Sequence, residues 1–139
     1  MTPNPKEKKM ENRYGFGKAV AMDFEAALAK VTSALQQEGF GVLTEIDVAG
    51  TLKKKLDHDM PAYRILGACN PGFAKRGVSA EPTLGLLMPC NVVVRQDVAG
   101  TVHVDFMDPG MISQMTDNPE VMKLGAEVRE KMLRVMNAL

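Results

Sequence analysis

Two cysteines stand in near-matching frames, Ala68-Cys69-Asn70-Pro71 and Pro89-Cys90-Asn91-Val92, and the chain has no others. Each frame lies on an apolar run. If the runs pair in one sheet, strands about 4.8 Å apart bring the sulfurs within reach of each other. Two neighbouring thiols can form a reversible disulfide or offer two soft ligands to a metal. Buried cysteine is also a small hydrophobe, and packing is the plainer account of both residues. Zinc asks for four ligands, whereas the chain has two cysteines and two histidines, and the spacing fits no zinc motif. No metal is therefore assigned.

Asn70 and Asn91 follow the two cysteines, and each frame contains a proline, Pro71 or Pro89, that removes a backbone donor. Asparagine amides complete such gaps by bonding nearby backbone, so the frames read first as structural punctuation. The alternative is that the amides line a pocket. A second group is Lys53-Lys54-Lys55-Leu56-Asp57-His58, with Asp59 next. There, His58 between two carboxylates could act as a base or ligand, and Lys53 could hold an anion. A run of charge is otherwise a solvated face. The candidate ligand-binding set is thus Cys69, Asn70, Cys90, Asn91, Lys53 and His58.

Other chemistry is not indicated. There is no nucleophile elbow, and Gly15-Phe16-Gly17-Lys18 falls short of both glycine-rich phosphate fingerprints. Asp108-Pro109-Gly110 reads as a turn, and His103, among valines, has no nameable partner. No residue is assigned a catalytic role, and the reading leans away from an enzyme.

These residues need a scaffold. The 139 residues make one ordinary domain, with a tail at 1–11 and a domain over 12–139. Arg13 to Met22 predicts a first strand. Asp23 then caps a helix whose apolar residues Phe24, Ala27, Leu28, Val31, Ala34 and Leu35 recur at three and four, ending at Gly39. Phe40 to Val48 predicts a second strand, and Thr51 to Asp59 a short helix or an exposed connection. Tyr63 to Cys69 predicts a third, and Pro71 opens a short helix that Glu81-Pro82 ends.

Leu84 to Val94 is the most apolar stretch, with Pro89 marking a bulge, an edge or a strand start. Thr101 to Met107 pairs back on it as a hairpin. Asn118 caps a last helix with Pro119 in its first turn and a stripe of Val121, Leu124, Val128, Met132, Val135 and Met136. The order β-α-β-β-β-β-α predicts an α+β domain: a curved, mostly antiparallel sheet of four or five strands with two main helices on one face.

Seventeen basic residues balance seventeen acidic ones, so no global field would draw nucleic acid or an anionic membrane. A neutral chain also resists self-association poorly, which favours a dimer. No apolar run reaches transmembrane length. The polar start Met1-Thr2-Pro3-Asn4-Pro5-Lys6-Glu7-Lys8-Lys9 is unlike a secretory signal, which predicts a cytoplasmic protein with reduced thiols.

The phrases Tyr63-Arg64-Ile65-Leu66-Gly67-Ala68-Cys69-Asn70-Pro71, Glu81-Pro82 and Leu86-Leu87-Met88-Pro89-Cys90-Asn91-Val92-Val93-Val94 resemble the domain of unknown function 302 family. Gly39-Phe40-Gly41-Val42, Asp47-Val48 and Leu52-Lys53 are similar to it as well, so the resemblance covers roughly 12–138. It implies a single copy of a fold like the repeat unit of the TATA-box-binding protein, and a homodimer. It implies no activity and no cofactor. Three functional readings follow. The first is a dimeric module binding a small ligand or a partner in a cleft beside Cys69 and Cys90, with Lys53 and His58 at its rim. The second is a thiol-based redox protein or metal binder using the two cysteines. The third is a purely structural domain.

Overall fold

The computed structural model describes residues 12–139; the tail expected at 1–11 lies outside the described residues. Five strands form one open antiparallel sheet: β1 (Gly15–Val20), β2 (Gly41–Asp47), β3 (Tyr63–Cys69), β4 (Cys90–Gln96) and β5 (Val102–Met107). Their order is β1-β5-β4-β3-β2, so β1 and β2 are its edges. Five α-helices interleave with them: α1 (Phe24–Gln37), α2 (Val48–Leu56), α3 (Pro71–Ala80), α4 (Gly110–Met115) and α5 (Pro119–Asn137). A 3₁₀ helix spans Pro82–Leu87. This is the expected α+β architecture, and none of the described helices is long and apolar enough to cross a membrane.

The main helices form where local chemistry places them. Asp23 Oδ1 accepts from the Ala26 amide at 2.7 Å, capping α1. At its other end Gly39 takes φ +83°, and the amides of Gly39 and Phe40 donate to the carbonyls of Gln36 and Leu35. That is the left-handed closure in which glycine carries no Cβ penalty. Asn118 Oδ1 caps α5 through the Glu120 and Val121 amides. All six stripe residues of α5 are buried, as are five of the six predicted on α1.

The core joins one sheet face to α1 and α5. Phe16, Leu66, Val92, Val94, Val104 and Phe106 meet Val31, Leu35, Val128, Met132 and Val135 in one buried cluster. A satellite cluster of Leu84, Val121 and Leu124 lies where the 3₁₀ helix meets α5. Phe73 of α3 packs against both clusters.

The second strand ends sooner than its apolar content predicts. Val48 is helical, because Asp47 Oδ1 accepts from the Gly50 amide at 2.9 Å and starts α2 there. Thr51 to Leu56 resolves as helix, closed by Asp57 at φ +51°. Pro89 marks a strand start, with β4 beginning at the next residue. The 3₁₀ helix and α4 are each six residues long, too short to show a helical period.

His103 does have a partner. It is 4% exposed, and its Nε2 lies 2.8 Å from Asp97 Oδ2 across the β4–β5 turn. Asp97 Oδ1 also accepts from the Ala99 and Thr101 amides. The bond from His103, then the backbone bonds, hold the Asp97 carboxyl below its ordinary 3.8. A depressed carboxylate contributes stability above its unfolded value and loses it as pH falls through the folded value. Asp97→Asn should therefore destabilise the domain at neutral pH and lessen its loss of stability below about pH 4. Urea unfolding at a series of pH values checks this; parallel acid limbs for both proteins would refute it.

Candidate functional site

A cavity opens at the end of the sheet where β3 stops and β4 starts. It contains about 550 Å³ of space free of atoms, part of it continuous with solvent. The interior is narrow: the centre of a water-sized sphere can occupy only about 60 Å³ of it. Ala68, Cys69 and Asn70 border it from β3 and its continuation, and Met88, Pro89 and Cys90 from the start of β4. Phe73 and Ala74 of α3, Leu84 and Leu87 of the 3₁₀ helix, and Val121, Leu124 and Val128 of α5 complete the wall with neighbours from Phe40 and α4. The cavity is thus the gap left between the main core and the satellite cluster.

Its walls are held by local devices. Asn70 Oδ1 accepts from the amides of Gly72 at 3.1 Å and Phe73 at 3.4 Å, which caps α3 and starts the chain over the cavity. Arg76 of α3 bonds Glu120 at 3.0 Å and Glu127 at 2.8 Å on α5, and its guanidinium lies over the Phe73 ring. These pairs are part-exposed, so they orient α3 more than they stabilise the domain. Gly125 sits where α5 passes the chain before α4; a Cβ there would come 2.9 Å from the Pro109 carbonyl oxygen.

The register sets the two cysteines one step apart. Cys90 lies opposite Ala68, and Cys69 lies opposite Gly41 on the other neighbour. A diagonal step between neighbouring strands separates Cα atoms by on the order of 6 Å, within bridging range. Direction is the obstacle, because alternation turns Cys69 away from the side that Ala68 and Cys90 share. Both thiols are free and half-buried, and both border the cavity beyond the strand ends. Burial, then the nearby Cys69, pushes the Cys90 thiol up from 9.0 to about 11. This runs against the lowered thiol pKa that a reactive cysteine needs.

The remaining candidates separate. Asn70 borders the cavity, but its side-chain oxygen is occupied by the cap. Asn91 is exposed and belongs to the other face of the sheet, in a shallow groove with Tyr63, Val93 and Arg95, because it is one residue from the inward Val92. Lys53 and His58 are not among the residues bordering the cavity. Lys53 reaches Asp57 at 2.7 Å and Asp59 at 3.0 Å, and these bonds raise its pKa. The expected rim position is not where these residues lie: neither Lys53 nor His58 borders the cavity, and Lys53 is paired within α2 and its C-terminal turn.

The residues missed by sequence reasoning are apolar: Phe73, Ala74, Leu84, Leu87, Met88 and Leu124. Met88 had a signal, since it completes the Met-Pro-Cys phrase. Leu124 was visible only as a core residue of α5.

The family described as "Domain of unknown function DUF302" matches residues 16–139. The chain belongs to this family. Its fold is similar to the crystal structure of the uncharacterized conserved protein DUF302 from Bacillus stearothermophilus. The TM-score is 0.84 at 25% identity, covering 91% of this chain and 98% of that one. No curated protein matches it significantly. The family carries no stated activity, so the functional reading for this DUF302 chain rests on the cavity.

With its thiol near 11, Cys90 is only about one part in ten thousand thiolate at pH 7. Iodoacetamide should modify Cys90 very slowly in the folded protein, with the rate rising about tenfold per pH unit in the alkaline range. After mild peroxide, both cysteines should still be alkylated on unfolding. Peptide mass spectrometry reads both results; rapid labelling of Cys90 at neutral pH, or a Cys69–Cys90 disulfide, would contradict them.

Proposed function

We propose that this domain binds a small, uncharged, mostly hydrocarbon molecule in the cavity beside Cys69 and Cys90. The observation that carries the reading is the lining: no charged residue borders the space, and Asn70 is its one amide side chain. A charged ligand would lose its hydration there with no opposite charge to meet it. An apolar ligand gains about 25 cal/mol for each Å² of its surface removed from water. A single polar group on the ligand is best placed at the Asn70 end. The wall combines α3, the 3₁₀ helix and α5, so an occupant would contact three separately attached elements.

Nile red fluorescence, with displacement by a panel of uncharged lipophilic compounds, tests this. Ala74→Leu puts three more carbons into the space and should abolish binding while the protein stays folded. Leu124→Ala enlarges the cavity and should cost about 2–5 kcal/mol of stability, because Leu124 is buried. Equal binding by wild type and Ala74→Leu would refute the proposal.

The domain is also proposed to act as a homodimer. Ile46, Ile65 and Val93 form one row across β2, β3 and β4, on the sheet face opposite Leu66 and Val92. Ile46 is exposed, and the other two are only partly buried. Covering such a row with a second copy would remove apolar surface from water. Light scattering should give twice the 15.1 kDa chain mass, and Ile65→Lys should halve it. A monomer for wild type at micromolar concentration would rule this out.

A further inference from the structure

We propose that the segment from Glu81 to Pro89, with the 3₁₀ helix at its centre, is a strap that swings aside to admit a ligand to the cavity and is latched shut by Leu84. This rests on the reading of the cavity as a site for an apolar molecule, and it names the wall through which such a molecule enters.

The need for a moving wall comes from size. The centre of a water-sized sphere reaches only about 60 Å³ of the interior. One water needs about 10–15 Å³ of such space, so a few waters fill it, and a larger hydrocarbon requires a wall to give way. The walls are not equally fixed. α5 carries seven buried residues. α3 is capped by Asn70 and joined to α5 by Arg76, which bonds Glu120 and Glu127. The 3₁₀ helix has no side-chain cap, and Leu84 is its one buried residue. Pro82, Thr83, Gly85 and Leu86 are exposed. Few buried apolar contacts and solvent-exposed backbone bonds mark a segment that opens locally while the rest of the fold stays intact.

Both ends of the strap are pinned. The Asn118 side-chain amide donates to the Ala80 carbonyl at 3.1 Å, and Cys90 pairs with Ala68 in the sheet. Movement is therefore confined between Ala80 and Cys90. The latch is a single side chain. Leu84 enters the satellite cluster with Val121 and Leu124 of α5. On its other side is Gly77 of α3, where a Cβ would lie 2.7 Å from Leu84 Cδ2 and 3.1 Å from Leu124 Cδ2. Glycine at this position leaves the place that the Leu84 side chain fills. Leu84, Leu87 and Met88 all border the cavity, so withdrawing the strap takes this side of the wall away as one piece.

Hydrogen exchange read by mass spectrometry on the full chain tests the strap without a ligand. Peptides covering 82–88 should exchange at least about tenfold faster than those of α3 and α5. Gly77→Ala crowds Leu84 while favouring the helix around it, so exchange should rise in the strap and not in α3. Gly85→Ala should slow the strap instead. Gly85 has no positive φ, nothing lies within 4 Å of a Cβ built there, and losing glycine's freedom favours the ordered strap. The same substitution should slow both association and dissociation of Nile red about two- to fivefold and leave its Kd unchanged, because entry and exit share one opening. Strap exchange as slow as that of α5, strap exchange unmoved by Gly77→Ala, or unaltered dye rates in Gly85→Ala would overturn the proposal. A wild type that binds no dye refutes the cavity reading instead, and the strap is then decided by exchange in the wild type and the two variants.

Discussion

The pairing of β3 with β4, in the register that sets Leu66 against Val92 and Ala68 against Cys90, is the constraint on which the rest of the molecule depends. These are the two strands inside the sheet that carry the cysteine phrases, and β2 and β5 add to their outer sides. With this register, Leu66, Val92 and Val94 share one face and are covered by helices. A slip of one residue would turn Ile65, Val93 and Arg95 inward and bury a guanidinium. Hydrophobic burial on one face therefore holds the register, and the register decides how every residue at the end of the sheet is presented.

The cavity follows from that arrangement. β3 ends at Cys69, and Asn70 immediately caps a helix, so the chain turns off the sheet within one residue. β4 starts just after Pro89, which cannot donate to the ladder. Sheet pairing therefore stops in both strands at the same level. The space beyond is roofed by α3, the 3₁₀ helix and α5, whose apolar residues pack as a satellite cluster rather than filling it. Protein interiors are otherwise close-packed, so an apolar gap between two clusters, narrow as it is, departs from ordinary packing.

The electrostatic features lie elsewhere and have structural roles. Asp97 organises the β4–β5 turn and meets His103; Arg76 joins α3 to α5; Lys53 closes the end of α2. In each case the charged group finds its partner close by. Lys53 is thus held at α2, away from the cysteines, and the cavity is lined by largely apolar residues.

What the residues alone determined is what depends on near neighbours in the chain. Asp23, Asn70 and Asn118 cap helices because their side chains reach amides two or three residues on, and Gly39 closes α1 because its own φ allows it. The stripe of α5 and the alternation of β5 are periodicities that a single segment carries. The family was legible too, in the phrases around Cys69 and Cys90. Only the tertiary structure decided the relative phase of those cysteines, the sheet face taken by Asn91, the distance of Lys53 and His58 from the cavity, and the cavity itself. All of these depend on pairing between segments separated by many residues. The free energy that sets that pairing belongs to the assembled core and is not encoded in any one stretch.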